Sequence, residues 1–424
     1  MYPPRTRLEI AIVLCSAVTY FLLLASYMAF RPVRDALILD GNPDNIPWLF
    51  TGTLLATLIV SPLWSALLAR RERRRVVPVG FWAFAVCLLM FAGLVYNQVS
   101  PVWVGRAFYI WSSVFNLFVV SVFWSLLADL LGPGTARRLY GPIAVGGTVG
   151  ALAGPALTKA VVGLIGVAGV LVMSALLLVG AALVVSLVRR LGEQLEDHDA
   201  SPGAAAPPSA PPAGAWQPLT RVVRQPYLAA IVGYVLCTAW AATFLYLEQA
   251  WVVKASFATQ NARTEYFASV DFATQAGALI LQSFLAAPLL RWLGPGLVLC
   301  ALPLVQGLGI SAVGIAPTLT TLAIAQVAAR SVTHGLTRPA RELLFTVVDR
   351  DDKYRAKNAI DVIGYRFGDF SGSWLHRGLI ALSIGNAPLV VATIPLVGLW
   401  LGLAVSLGAG FRRRVAASRI ADQR

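Results

Sequence analysis

The chain has 424 residues, 58% of them hydrophobic and 13% charged, with a formal net charge of +14 and a mean hydropathy of +0.72. A soluble domain carries nearly twice that share of charge. The composition therefore sets aside a soluble enzyme, and it sets aside a nucleic-acid binder despite the basic balance.

Apolar runs long enough to cross the hydrocarbon core as helices, roughly 20 residues each, recur along the whole length. Lipid offers the backbone no hydrogen bonds, so such spans are helices; an outer-membrane barrel would show shorter, alternating segments. The pattern places spans near 9–30, 46–69, 76–96, 102–128, 140–165 and 167–188, and a second set near 226–248, 265–290, 295–316, 318–345, 358–383 and 386–409. The first span is too long for a signal peptide and no small-residue cleavage site follows it, so it reads as retained. Between the sets, 191–218 holds Glu193, Glu196, Asp197 and Asp199 and then a Pro/Ala run, the composition of an extended linker. The expected organisation is an all-α membrane protein of about 12 transmembrane helices in two pseudo-symmetric six-helix bundles, 1–190 and 219–424, joined by a cytoplasmic linker over 191–218.

Arginines and lysines mark alternate loops. They stand at Arg5 and Arg7, at 70–75, at Arg137 and Arg138, at Arg189 and Arg190, at 350–357 and at 412–414. The positive-inside rule makes those loops cytoplasmic and both termini with them. Of the 34 basic residues, 30 are arginine. With the heavy use of Ala, Gly and Leu, this fits a GC-rich bacterial genome and an inner (plasma) membrane. Cys15, Cys87, Cys237 and Cys300 all fall in apolar spans and have no disulfide or metal-site spacing.

The two sets are related. Gly146, Gly150 and Gly154 recur as Gly364, Gly368 and Gly372, a shift of 218 that also takes Lys159 to Arg377. Glycines at this spacing let helix backbones approach closely. Parallel six-span repeats are the layout of major-facilitator-like transporters, which bind substrate centrally between the halves.

Ionisable groups at membrane depth are costly and tend to face a cavity or pair with one another. Span one closes in Arg31-Pro32-Val33-Arg34-Asp35, where Pro32 is expected to break or cap the helix. Span four carries Arg106, Tyr109, Ser113 and Asn116 at steps of three and four, hence on one face. Span five carries Lys159; span seven ends in Glu248, Trp251 and Lys254; span eight carries Asp271, Gln275 and Gln282. Arg330, His334, Arg338 and Glu342 in span ten, and Asp361, Tyr365 and Asp369 in span eleven, recur at steps of four, with Arg366 three before Asp369. Any one of these could be a structural ion pair. Together they describe a water-filled, mainly cationic cavity, and arginine's planar fork suits phosphate oxygens. Arg31, Arg34, Arg106, Lys159, Glu248 and Arg330 are the candidate substrate-binding residues. Asp35, Asp271, His334, Arg366 and Asp369 are the candidates for charge balance or proton coupling. No Walker A sequence, nucleophile–base constellation or metal-ligand spacing is present, so neither catalysis nor a cofactor is expected.

Several segments in order resemble the nucleotide transporters, or ATP/ADP translocases, of plastids and intracellular bacteria. They are 31–39 (RPVRDALIL), Ile46-Pro47-Trp48-Leu49, Phe123-Trp124, 138–155 (RLYGPIAVGGTVGALAGP), Glu248 with Trp251 and Lys254, Asp271-Phe272 with Gly277, and 357–368 (KNAIDVIGYRFG). The resemblance implies exchange of ATP for ADP, or movement of other nucleotides, with Glu248 at an acidic position the family needs. Arg34 stands where the ATP/ADP exchangers have lysine, and Asp369 reverses the charge of another such lysine. The leading expectation is thus a secondary transporter of nucleotides or related phosphorylated anions, in the bilayer, with no oligomer required. Open beside it stand a proton-coupled carrier of a non-phosphorylated solute and a non-transporting regulatory or scaffold module.

Overall fold

A computed structural model describes residues 4–70, 73–130, 133–199, 225–349, 360, 364–381 and 387–422. The described residues are helical, with no strand among them. The helices are α1 (Pro4–Leu37), α2 (Ile46–Arg70), α3 (Arg73–Tyr96), α4 (Pro101–Leu130), α5 (Pro133–Asp199), α6 (Pro226–Ser256), α7 (Gln260–Ile280), α8 (Ala286–Ile315), α9 (Leu319–Val332), α10 (Arg338–Leu344), α11 (Tyr365–Ala381) and α12 (Ala387–Asp422). One π turn, Leu281–Leu285, joins α7 to α8 and another, Thr333–Thr337, joins α9 to α10.

Among the described residues, eight stretches are long and apolar enough to cross a membrane. Two of them, Leu139–Gln194 and Gln260–Ile315, run for 56 residues each. At 1.5 Å per residue, a straight helix of that length would reach about 84 Å, far beyond a bilayer. Each instead turns at a glycine: Gly166 at φ +68° in α5 and Gly294 at φ +73° in α8. A Cβ is strained in that left-handed region, so these are sites only glycine fills without cost. Both turns coincide with boundaries expected between neighbouring spans. The stretch from α9 through α10 and the helix α11 fall outside the eight because they carry charges, although Leu319–Leu344 is helical throughout and long enough to span.

The chain forms two compact units. The first gathers α1, α2 from Ile59, α3, α4, α5 and the start of α7 to Phe272. Its interior is aromatic: Phe30, Phe81, Phe108, Phe115 and Phe123 are essentially inaccessible. Phe30 meets Phe108 and Phe115 edge to face with centroids 5.7 and 5.2 Å apart, an arrangement the ring quadrupoles favour. The second unit gathers α2 to Leu58, α6, the rest of α7 and α8 to α12. Trp400 and Tyr234 lie at its centre, and the Tyr234 hydroxyl donates to the Leu299 carbonyl at 2.8 Å. Large apolar side chains point outward from both units, among them Leu164 (86% exposed), Trp292 (78%) and Ile315 (84%). That inverted surface is what lipid as solvent requires.

The glycine repeats line a helix contact in each unit, and the approach is closer in the first. A Cβ at Gly146 or Gly150 would fall on the backbone carbonyl of Ala17 or Phe21, and at Gly154 it would lie 2.6 Å from the Ala25 carbonyl oxygen. Both triplets step by four, so α1 and α5 touch backbone to backbone along one line. In the second unit Gly364 faces Val235 and Gly368 faces Ala239. The offset of 218 that relates the glycines also relates their partners, Ala17 to Val235 and Phe21 to Ala239. For these two pairs the repeat is one of contacts as well as letters, whereas Gly372 meets Trp240 and departs from it.

Two local expectations are corrected. Pro32 neither ends nor caps its helix, since α1 continues through it to Leu37. The proline costs one backbone bond, and the tight α1–α5 seam holds the helix on either side. The acidic start of the expected linker is helical, because α5 continues to Asp199 with Arg189 and Glu193 paired at 3.6 Å one turn apart. Residues 200–224 lie outside the described residues.

Candidate functional site

The first unit holds a four-residue charge cluster at the end of α1. The Arg34 guanidinium donates from Nε and Nη2 to Oδ1 of Asp35, at 2.9 and 2.7 Å. It also lies 4.9 Å above the centre of the Tyr109 ring on α4, a cation–π contact that strengthens when desolvated. One turn back, Nη1 of Arg31 is 3.8 Å from Oδ1 of Asp271 on α7. Asp35 and Asp271 are 5% and 3% exposed. Buried charge at membrane depth is tolerated only when paired, and here two cations meet two carboxylates, so the cluster is formally neutral. Its pairing is uneven. Arg34 holds its carboxylate closely, whereas the Arg31–Asp271 distance is long for a hydrogen bond and the buried Arg31 Nε makes none. Arg31 is the guanidinium with donors to spare.

Just beyond, Asp40 accepts from Gln260 Nε2 at 2.6 Å and from Arg263 Nη1 at 3.2 Å. This ties the end of the α1 region to the start of α7.

In the second unit Glu248 on α6 is 3.0 Å from Nε2 of His376 on α11, and Phe244 places its ring 5.4 Å from the imidazole. Arg366 and Asp369 lie 3.6 Å apart, one turn along α11. Arg341, buried, donates to the Tyr365 hydroxyl at 2.8 Å and sits over that ring at 5.3 Å.

The structure thus brings Arg31, Arg34, Asp35 and Asp271 together, and places Glu248 and the Arg366–Asp369 pair in the second unit. Other candidates lie elsewhere. Arg106 stacks 4.8 Å over Trp103, which is 68% exposed. Lys159 is exposed on α5, and Arg330 is half-buried in the last turn of α9. His334 is exposed inside the π turn. The wider turns at Leu281–Leu285 and Thr333–Thr337 shift the helical register. Along the expected stripes Asp271-Gln275-Gln282 and Arg330-His334-Arg338-Glu342 burial is uneven: Asp271 is buried and Gln282 exposed, and Arg330 is half-buried where His334 and Arg338 are exposed. Asp361 lies outside the described residues. Two partners escaped the sequence reading. His376 stands four residues past Gly372 on the helix face that packs on α6, and that spacing was a usable signal. Arg341 had none, because its partner Tyr365 lies on another helix. Among the described residues, no cluster of three or more His, Cys, Asp or Glu could hold a metal.

Comparison with known proteins gives three results. The Major Facilitator Superfamily profile matches residues 13–347. The ADP,ATP carrier protein 1 of Chlamydia muridarum (strain MoPn / Nigg) is 23% identical over 360 residues, 76% of this chain and 67% of that protein. The protein of the same name from Chlamydia trachomatis serovar D is 23% identical over 386 residues, 82% of this chain and 70% of that one. Among solved structures, a bacterial homologue of the iron transporter ferroportin in an inward-facing state superposes with a TM-score of 0.61 at 12% identity, covering 96% of this chain and 98% of the other. The nucleoside transporter NupG does so with 0.58 at 12%, covering 96% and 99%. At that identity the structural likeness speaks for the fold.

Proposed function

The chain belongs to the Major Facilitator Superfamily, and from that premise we propose that it is a secondary active transporter of nucleotides or related phosphorylated anions, working by alternating access. The observation that carries the reading is the pair of arginines closing α1, held at membrane depth beside Tyr109. Guanidinium groups bind phosphate oxygens in pairs, and Arg31 keeps a buried Nε without an acceptor. An incoming phosphate would take over Arg31 from the more distant Asp271 before it disturbed the Arg34–Asp35 pair. The relatives named as ADP,ATP carriers support the same substrate class. Within the second unit, Glu248 is the acidic candidate. Exchange of one anion for another, or uptake of protons with the anion, would limit the net charge that each cycle adds to the arginine cluster. We place the protein in the bacterial inner membrane with both termini cytoplasmic, on the arginines of alternate loops.

A carrier of a non-phosphorylated solute is the second reading. It is favoured by the fact that each arginine of the cluster already faces a carboxylate. The test is thermal stabilisation of the purified protein across nucleotides, sugar phosphates, inorganic phosphate and neutral solutes, since a ligand that binds only the folded state raises Tm. Nucleotide counterflow in liposomes follows. Shifts with nucleotides uphold the proposal. Shifts with neutral solutes alone overturn it in favour of the second reading.

A further inference from the structure

The internal repeat provides a comparison within one chain. The offset of 218 carries Thr158 onto His376. In the first unit Thr158 is fully buried, and its hydroxyl donates to the Ala29 carbonyl at 2.8 Å. That is a neutral tie between α5 and α1. In the second unit the matching position on α11 is His376, and its tie to α6 reaches Glu248, one residue past the position matching Ala29. A neutral hydroxyl–carbonyl bond in one half is thus a titratable pair in the other. Packing did not require this, because a threonine holds the same helices together in the first unit.

The pair is also asymmetric in access. The Glu248 side chain is 27% exposed and the His376 side chain 4%. Phe244, one turn before Glu248, covers the imidazole. The carboxylate can meet a solute, whereas the imidazole behind it meets only the carboxylate and its packing. A buried imidazole hydrogen-bonded to a half-open carboxylate can hold that carboxylate in position and change the charge beside it.

We infer that His376 is a positioning residue for Glu248, so that the pH response of transport belongs to the pair and not to the carboxylate alone. This rests on the anion-transport reading above. The sign follows from charge. With a neutral imidazole the pair carries one negative charge, and with one more proton it carries none. An anionic substrate is therefore repelled less when the pair carries the additional proton. Of the other titratable or charged groups on the packed elements, α8 contributes Arg291 and α9 contributes Arg330. Tyr246 and Lys254 flank Glu248 on α6. Arg377 adjoins His376 and donates to the Asp44 carbonyl at 3.1 Å, which brings Asp44 alongside. Arg366 and Asp369 pair with each other farther back on α11. Residues 387–411 of α12 contain no charged side chain.

The experiment has two arms on the full chain, purified without a histidine tag. In the first, ATP counterflow in liposomes is measured from pH 5.5 to 8.5 for the native chain, His376→Gln and Glu248→Gln. The native chain is expected to show a KM falling about fivefold or more toward low pH, the scale of one unit charge at partial exposure. The profile of His376→Gln is expected to be flat. A His376→Gln variant that keeps the native profile, or that lowers the rate evenly at every pH, overturns the inference, because either outcome leaves His376 a structural residue. Should His376→Gln not fold, His376→Asn takes its place under the same criteria. The second arm needs no substrate. The chain has three histidines, so 15N-histidine spectra resolve them, and His376 is assigned by its loss in the variant. Its signal is expected to titrate over a different pH range in Glu248→Gln than in the native chain. An unchanged titration overturns the coupling even if nucleotides prove not to be the cargo, and absent counterflow with a changed titration overturns only the cargo.

Discussion

Replacing Gly150 by alanine adds one methyl group to α5 where α1 leaves no room for it. The new Cβ would fall on the Phe21 carbonyl oxygen, with the Phe21 C and Cα atoms 2.9 Å away. These are backbone atoms inside a helix, so no rotamer change relieves the overlap and the two helices must separate. Overfilling a packed site costs about 1–3 kcal/mol, and a rigid neighbour puts Gly150 at the upper end. Alanine returns about 1 kcal/mol of helix propensity. The net loss is about 2 kcal/mol, roughly 30-fold in the folding equilibrium. Two controls separate packing from mere substitution. At Gly364 the nearest atoms to an added Cβ are 3.8 Å away, and at Gly402 nothing lies within 4 Å. Gly364→Ala and Gly402→Ala should be neutral or mildly stabilising. Thermal unfolding in detergent, followed by tryptophan fluorescence, should show Gly150→Ala about 4 °C or more below both. Equal melting temperatures for Gly150→Ala and Gly402→Ala would refute the backbone-contact account of the glycine repeat.

Arg34→Gln should abolish anion uptake and cost about 3–5 kcal/mol, because it withdraws the guanidinium from a buried carboxylate. Adding Asp35→Asn should recover the melting temperature without recovering uptake, and normal uptake by Arg34→Gln would remove it from the site. Asp271→Asn should strengthen binding of phosphate-bearing ligands severalfold, since it frees Arg31 from a competing carboxylate; titrated thermal shifts read this directly, and weaker binding would show Asp271 to be part of the recognition itself. Asp40→Asn should lower stability by about 1–3 kcal/mol, because it removes the charge facing Arg263 and one of the two acceptor oxygens, and the exchange Asp40→Arg/Arg263→Asp should regain part of it. Tyr109→Leu should weaken anion binding by about 0.5–2 kcal/mol through loss of the ring under Arg34, whereas Tyr109→Phe should not.

The sequence by itself determined the solvent, the secondary structure and the repeat. Lipid penalises every unpaired backbone group alike, so long apolar runs admit one structure, and Gly166 and Gly294 turn the chain where span boundaries were expected. The glycine triplets also predicted where helices touch, and along the first triplet only a missing Cβ permits the approach. Which charges meet was beyond the sequence. Asp271 pairs with an arginine 240 residues away, a relation no local spacing encodes. Gln282 and His334 lie exposed inside π turns, which widen a register that counting in fours holds fixed. His376 acquires its meaning from Glu248 on another helix and from Thr158 in the other repeat. Periodicity places a residue on a face of its own helix; only the packing of helices on one another decides what that face meets, and with it whether a buried charge is neutralised, shared or left with donors for a substrate.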